Sequence, residues 1–151
     1  MDNKQIVEVS VKINNLLSQY VKTHDDIFKN SIRNVIPLLF IFKKIDFQVC
    51  YKNLEDISSK LKENDLLINK MSSDCDERQK KYLEVLSEYV KALIRAVELL
   101  KFISSSLYAK SEHLTTYNWK QYKEELARYE SAVQEYRSIG SRLNELYDKI
   151  T

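Results

Sequence analysis

The stretch YLEVLSEYVKALIRAVELLKFISSSL, residues 82–107, decides the fold. Leu83, Leu86, Val90, Leu93, Val97, Leu100 and Leu107 recur at spacings of three and four, with Ser104 filling the remaining slot. At 3.6 residues per turn, such positions share one face of an α-helix. A second stripe runs beside the first: Tyr82, Val85, Tyr89, Ala92, Ala96, Leu99 and Ile103. Two stripes require two packing partners, so this helix is expected to be central and the most buried. Small Ala92 and Ala96 would admit one neighbour closely.

On its N-terminal side, Ser72-Ser73-Asp74-Cys75-Asp76-Glu77 is the clearest punctuation in the chain. Small polar residues followed by acids match N-capping and the helix dipole, so a helix is predicted over 74–110. Before it, Phe47, Cys50, Leu54, Ile57, Leu61, Asn64, Ile68 and Met71 form another stripe. Asn64 is its one polar member, either a buried register device or a residue at a wet, fraying end. Pro37 disfavours helical geometry at Ile36 but suits the first position of a new helix, so the reading places a break or kink there and a helix over 37–71.

The first segment, 3–35, carries Ile6, Val9, Ile13, Leu16 and Tyr20 at helical spacing. Val7, Val9, Val11 and Ile13 also alternate as a half-buried strand would. The helix is preferred because Leu16, Leu17 and Tyr20 continue it and no turn follows. After Ile27 the stripe slips by one residue to Phe28, Ile32 and Val35, and Thr23-His24-Asp25-Asp26 is placed to cap a fresh helix or mark a kink.

The last helix is expected over 117–150, after a polar link around Ser111 to Thr116. Its stripe is Trp119, Tyr122, Leu126, Tyr129, Val133, Tyr136, Gly140, Leu143, Tyr147 and Ile150, while Lys120, Lys123, Glu124, Arg128, Glu130 and Glu135 charge the opposite face. Gly140 costs about 1 kcal/mol against alanine in a helix interior, so it is either a tolerated small residue or the mark of a close crossing or bend.

Composition agrees. One glycine and one proline in 151 residues leave little material for tight turns, β-sandwiches or nucleotide-binding loops. Charged residues at 30% and hydrophobic ones at 44% describe amphipathic helices with solvated backs. The fold class expected is therefore all-α: one domain, an elongated antiparallel bundle of three to four long, coiled-coil-like helices.

The 24 basic and 22 acidic residues give a net charge of +2, which argues against a nucleic-acid partner. Cys50 and Cys75 form no CxxC, and two such thiols fit a reducing compartment. The start of the chain lacks the apolar stretch of a signal peptide. The most apolar run, Val35 to Phe42, is far shorter than the roughly 20 residues of a membrane span. A cytoplasmic protein is expected.

No phosphate loop, GxGxxG, HExxH or GxSxG is present, and no Glu-x-x-His that a carboxylate-bridged metal pair requires. The reading is of a non-enzyme without metal, cofactor or small-molecule substrate. Cys75 lies near a predicted helix start, but its flanking aspartates oppose thiolate formation. The ten tyrosines are the unusual feature, and most fall in stripes. Tyrosine buries a large ring while its hydroxyl reaches a rim, which suits core and interface packing.

The leading expectation is a helical scaffold or adaptor mediating protein–protein interaction, as a homo-oligomer or in a hetero-complex. The interface candidates are Trp119, Tyr122, Leu126, Tyr129, Val133, Tyr136, Leu143 and Tyr147, together with Leu38, Phe40 and Phe42 of the apolar run, which must be enclosed or offered to a partner. Residues Leu86 to Ile139 resemble BAR-type modules in pattern; that resemblance implies a dimer with kinked helices that binds anionic membrane surfaces in trafficking. Nothing in the sequence promotes a ligand carrier; a residual cavity rimmed by tyrosine and histidine would argue for one.

Overall fold

The computed structural model describes residues 3–33, 46–71, 73, 75–114 and 116–150. Four helices account for nearly all of them: α1 (Asn3–Arg33), α2 (Phe47–Met71), α3 (Glu77–Ser111) and α4 (Trp119–Tyr147). No strand occurs among the described residues. At 1.5 Å per residue, the 35 residues of α3 make a rod of about 52 Å.

The helices run up, down, up, down. Ser58 Oγ donates to Glu98 Oε1 at 2.5 Å and Ser87 Oγ to Asp65 Oδ1 at 2.6 Å, so rising numbers in α3 meet falling numbers in α2. Arg95 bonds Glu135 at 2.6 Å and Arg142 bonds Glu88 at 2.7 Å, which sets α4 antiparallel to α3. Of the four helices, α3 alone packs against all the others. Tyr82, Leu83, Val85, Leu86, Tyr89, Val90, Ala92, Leu93, Ala96, Val97, Leu100 and Ile103 are all buried, so both stripes are used.

In α1 the buried stripe is Ile6, Val9, Ile13, Leu16, Tyr20, Thr23 and Ile27. The strand-like alternation resolves into helical faces, because Val9 and Ile13 enter the core while Val7 is half-buried and Val11 exposed. Of the two alternatives left open at 23–26, a fresh helix start does not occur. Thr23 occupies a core slot, its hydroxyl bonded to the Gln19 carbonyl at 3.0 Å, and the helix continues to Arg33. The side-chain hydroxyl satisfies itself one turn back, so a polar residue fits the stripe without ending the helix.

The helix ends carry local chemistry. Asp46 Oδ1 accepts from the amides of Gln48 and Val49, both at 3.1 Å, where α2 begins. Asp76 with Gln79, and Asn118 with Gln121, form reciprocal capping boxes at α3 and α4, a few residues inside the predicted starts. At the end of α3, His113 takes φ 55°, with His113 N bonded to Lys110 O and Leu114 N to Ala109 O. This is a Schellman stop with histidine where glycine is usual. Asn64 is half-buried and donates to its own helix at Lys60 O, 2.7 Å away, so it sets no register between helices. Pro37 and the apolar run 35–42 lie outside the described residues, but the helix predicted over 37–71 is corrected at its start: Asp46 is non-helical and its carboxylate caps a helix that begins at Phe47.

Candidate functional site: an apolar end and a tyrosine-floored groove

Two features stand apart from ordinary bundle packing. The first is the end where α1 stops, α2 starts and α3 turns into α4. Trp119 is 67% exposed and Leu114 73%, and Phe102 and Val49 are also more than half exposed. Phe102 and Val49 stand at the same level of adjacent antiparallel helices, since Ser104 Oγ bonds the Phe47 carbonyl at 3.0 Å. Trp119 is not loose: its ring stacks on Tyr122 at 5.4 Å between centroids, and Lys123 Nζ stands 6.0 Å over it. Tyr117 meets Tyr122 edge-on at 6.5 Å and donates to Glu125 at 2.5 Å. Burial and the Glu125 carboxylate push the Tyr117 phenol up from its ordinary value.

The second feature is the seam between α1 and α4. No Cα of α1 lies within 8 Å of a Cα of α4 among the described residues. Side chains span the gap instead. At one end Asn3 Nδ2 donates to the Ile150 carbonyl at 2.9 Å, while its Oδ1 accepts from Gln79 Nε2 at 2.7 Å. Towards the other end the Tyr20 and Tyr129 hydroxyls hydrogen-bond each other, and His24 Nδ1 lies 2.6 Å from the Tyr129 hydroxyl. Phe28 stacks on Tyr129 at 5.9 Å, and Tyr136 stands edge-on to both Tyr20 and Tyr89 at 6.1 Å. Burial, foremost, pushes the phenols of Tyr20 and Tyr129 well above their ordinary value.

Between these ties the seam is open as a groove, with α3 as its floor. One cavity of about 370 Å³ is lined by Val11, Ile13, Leu17, Tyr82, Tyr89 and Tyr147, among others. The next, about 520 Å³, continues past Tyr20, Val21, His24, Tyr129, Val133 and Tyr136. Leu17, Tyr89, Gly140 and Asn144 line both, so they mark the junction. From Ser10 to Asp25 the trough follows α1 for about 22 Å. Gly140 faces Tyr89: a Cβ there would stand 3.1 Å from the Tyr89 ring. The glycine that sequence reading leaves open between tolerance and close packing is thus a close approach.

Of the interface candidates, Tyr129, Tyr136 and Leu143 are buried in the core. Tyr122, Leu126, Val133 and Tyr147 are half-buried against it, and Trp119 projects into solvent. Leu38, Phe40 and Phe42 lie outside the described residues. The α4 stripe offered to a partner by sequence reading is therefore largely occupied within the chain. Phe102 belongs to neither α3 stripe and Leu114 lies in the link, so periodicity marks neither; a bulky apolar residue off the packed faces is the available signal. His24, placed by its sequence neighbours as a helix cap, is instead a partner of Tyr129.

Cys50 is buried, and burial, followed by Asp26 and Asp46, raises its thiol pKa; Cys75 Sγ lies 3.2 Å from the Met71 carbonyl. Among the described residues no three His, Cys, Asp or Glu side chains are grouped to hold a metal ion, and no helix is long and apolar enough to cross a membrane. Comparison with protein-family models, curated proteins and solved structures finds no match to the chain.

Proposed function

We propose that this chain is a non-catalytic helical scaffold or adaptor, which docks another protein chain on the apolar end of its bundle. The observation that carries the reading is the exposure of Trp119 and Leu114 at that end, with Phe102 and Val49 exposed on the helices that lead to it. Large aromatic anchors fixed by neighbours lose little entropy on binding and dominate protein interfaces. The stack of Trp119 on Tyr122 supplies such fixing. Charges of both signs neighbour Leu114 and Trp119 in the sequence: Lys110, Lys120 and Lys123 beside Glu112, Glu124 and Glu125. A mixed rim suits a protein surface, whereas an anionic membrane would favour a uniformly basic one.

A photo-crosslinking residue placed at 119 or 102 is expected to give discrete protein adducts in cells, and the same residue at exposed Glu63 none. Absence of adducts at both positions would sink the proposal. Salt-sensitive co-sedimentation with anionic vesicles, lost on Trp119→Asp, would replace it with the membrane-surface alternative. Deleting residues 119–151 is a poor test, because Tyr129, Ala132, Tyr136 and Leu143 fill the core and their loss removes the fold itself.

A further inference from the structure

The groove between α1 and α4 holds a feature that bundle packing does not require. Tyr89 is only 7% exposed, yet its hydroxyl has no hydrogen-bond partner among the described residues, in contrast to Tyr20, Tyr82 and Tyr129. Among the described residues no fully enclosed side-chain N or O atom lacks a partner, so the Tyr89 hydroxyl keeps a remnant of exposure. Tyr89 lines both cavities, which directs that exposure into the groove at their junction. Gly140 lets the Tyr89 ring lie close against α4, since a Cβ there would stand 3.1 Å from it. The hydroxyl is therefore left to water or to a ligand, and a phenylalanine at this position would fill the same space without it.

The surroundings define what would satisfy it. The walls are mainly hydrocarbon, from Val11, Ile13, Leu17, Leu86 and Leu143. The polar groups at the junction and in the first cavity are uncharged: Ser10, Asn14, Asn144 and the tyrosine hydroxyls. Asp25 and Arg137, the charged lining residues, belong to the second cavity alone. The volumes fall within the usual range of small-molecule sites, about 300–1,000 Å³.

We propose that the α1–α4 groove binds a neutral, largely hydrocarbon ligand with a carbonyl or hydroxyl oxygen that accepts a hydrogen bond from Tyr89. The hydroxyl lies within the trough rather than at either end, so the apolar parts of the ligand extend along both cavities. This goes beyond the docking reading and stands apart from it, since the groove and the apolar end share no lining residue.

Prodan, a neutral naphthyl ketone whose emission shifts to the blue in apolar sites, is the probe. Titration of the wild-type chain is expected to give a saturable blue shift, reversed by a neutral long-chain alcohol. Tyr89→Phe keeps the ring and removes the donor; it should weaken binding about tenfold while leaving thermal stability equal or higher. Asn144→Trp, at an exposed lip of the junction, should block binding with the helix content unchanged. No saturable shift would mean that water alone serves the hydroxyl and would overturn the proposal. Equal affinity in Tyr89→Phe would overturn it too, as would binding that survives Asn144→Trp.

Discussion

The α2–α3 and α1–α4 seams are built from the same helical repeat and end at different separations. Along α2–α3, Leu54, Ile57, Leu61 and Ile68 pack with the buried aliphatic residues of α3, and short serine-to-carboxylate bonds cross between the backbones. Along α1–α4, tyrosines meet tip to tip and the backbones stay more than 8 Å apart. Branched aliphatic side chains interdigitate, so their helices close to van der Waals contact. A tyrosine pair linked through its hydroxyls behaves as a strut. The contrast teaches that side-chain length, set within one stripe pattern, separates a sealed seam from a groove.

High pH should break the strutted seam with the largest effect. Unfolded phenols titrate near pH 10, while burial holds Tyr89 up to about 12 and Tyr20 and Tyr129 higher still. Above pH 10 the native state then binds more protons than the unfolded chain, so stability falls as pH rises. Phenolate absorbance and circular dichroism, followed together, should show these tyrosines ionising only as helix is lost. Full ionisation of all ten tyrosines with the helices intact would refute the strut picture.

Next in size is Leu61→Ala in the sealed seam. Leu61 is fully buried, and the deletion should cost about 2–5 kcal/mol in urea denaturation. Tyr129→Phe removes the hydroxyl that joins Tyr20 to His24 and should cost about 1–3 kcal/mol. An equal or greater loss than Leu61→Ala would show that the strutted seam is not the softer one. His113→Gly lies outside both seams and serves as a control. Relieving the left-handed backbone at the end of α3 should raise stability by about 0.5–1 kcal/mol. A loss there would mean that the imidazole makes a contact worth more than the strain.

The helical class, the central place of α3 and its two working stripes were legible because period and burial are local properties of the chain. The caps at Asp76 and Asn118 were legible only to within a few residues, since several neighbouring polar residues offer similar chemistry. The valines of α1 offered a competing strand pattern because two helical faces, read together, imitate alternation, and the continuing stripe to Tyr20 decided for the helix. The apolar end was half legible: Trp119 lies on the α4 stripe, whereas Phe102 and Leu114 lie on none.

Sequence by itself determined that this chain folds as helices with apolar stripes, and which residues lie on each stripe. It also supplied the composition, rich in tyrosine and poor in glycine, that makes struts available and turns rare. Tertiary structure alone decided how far apart the stripes stand. A stripe records which residues face inward, but not whether a facing side chain will interdigitate with them or meet them end to end. That choice closed α2 on α3, held α1 away from α4, and left Tyr89 lining an open groove. The physical reason is that packing partners are non-local, so the distance between two helices belongs to the pair and not to either stripe.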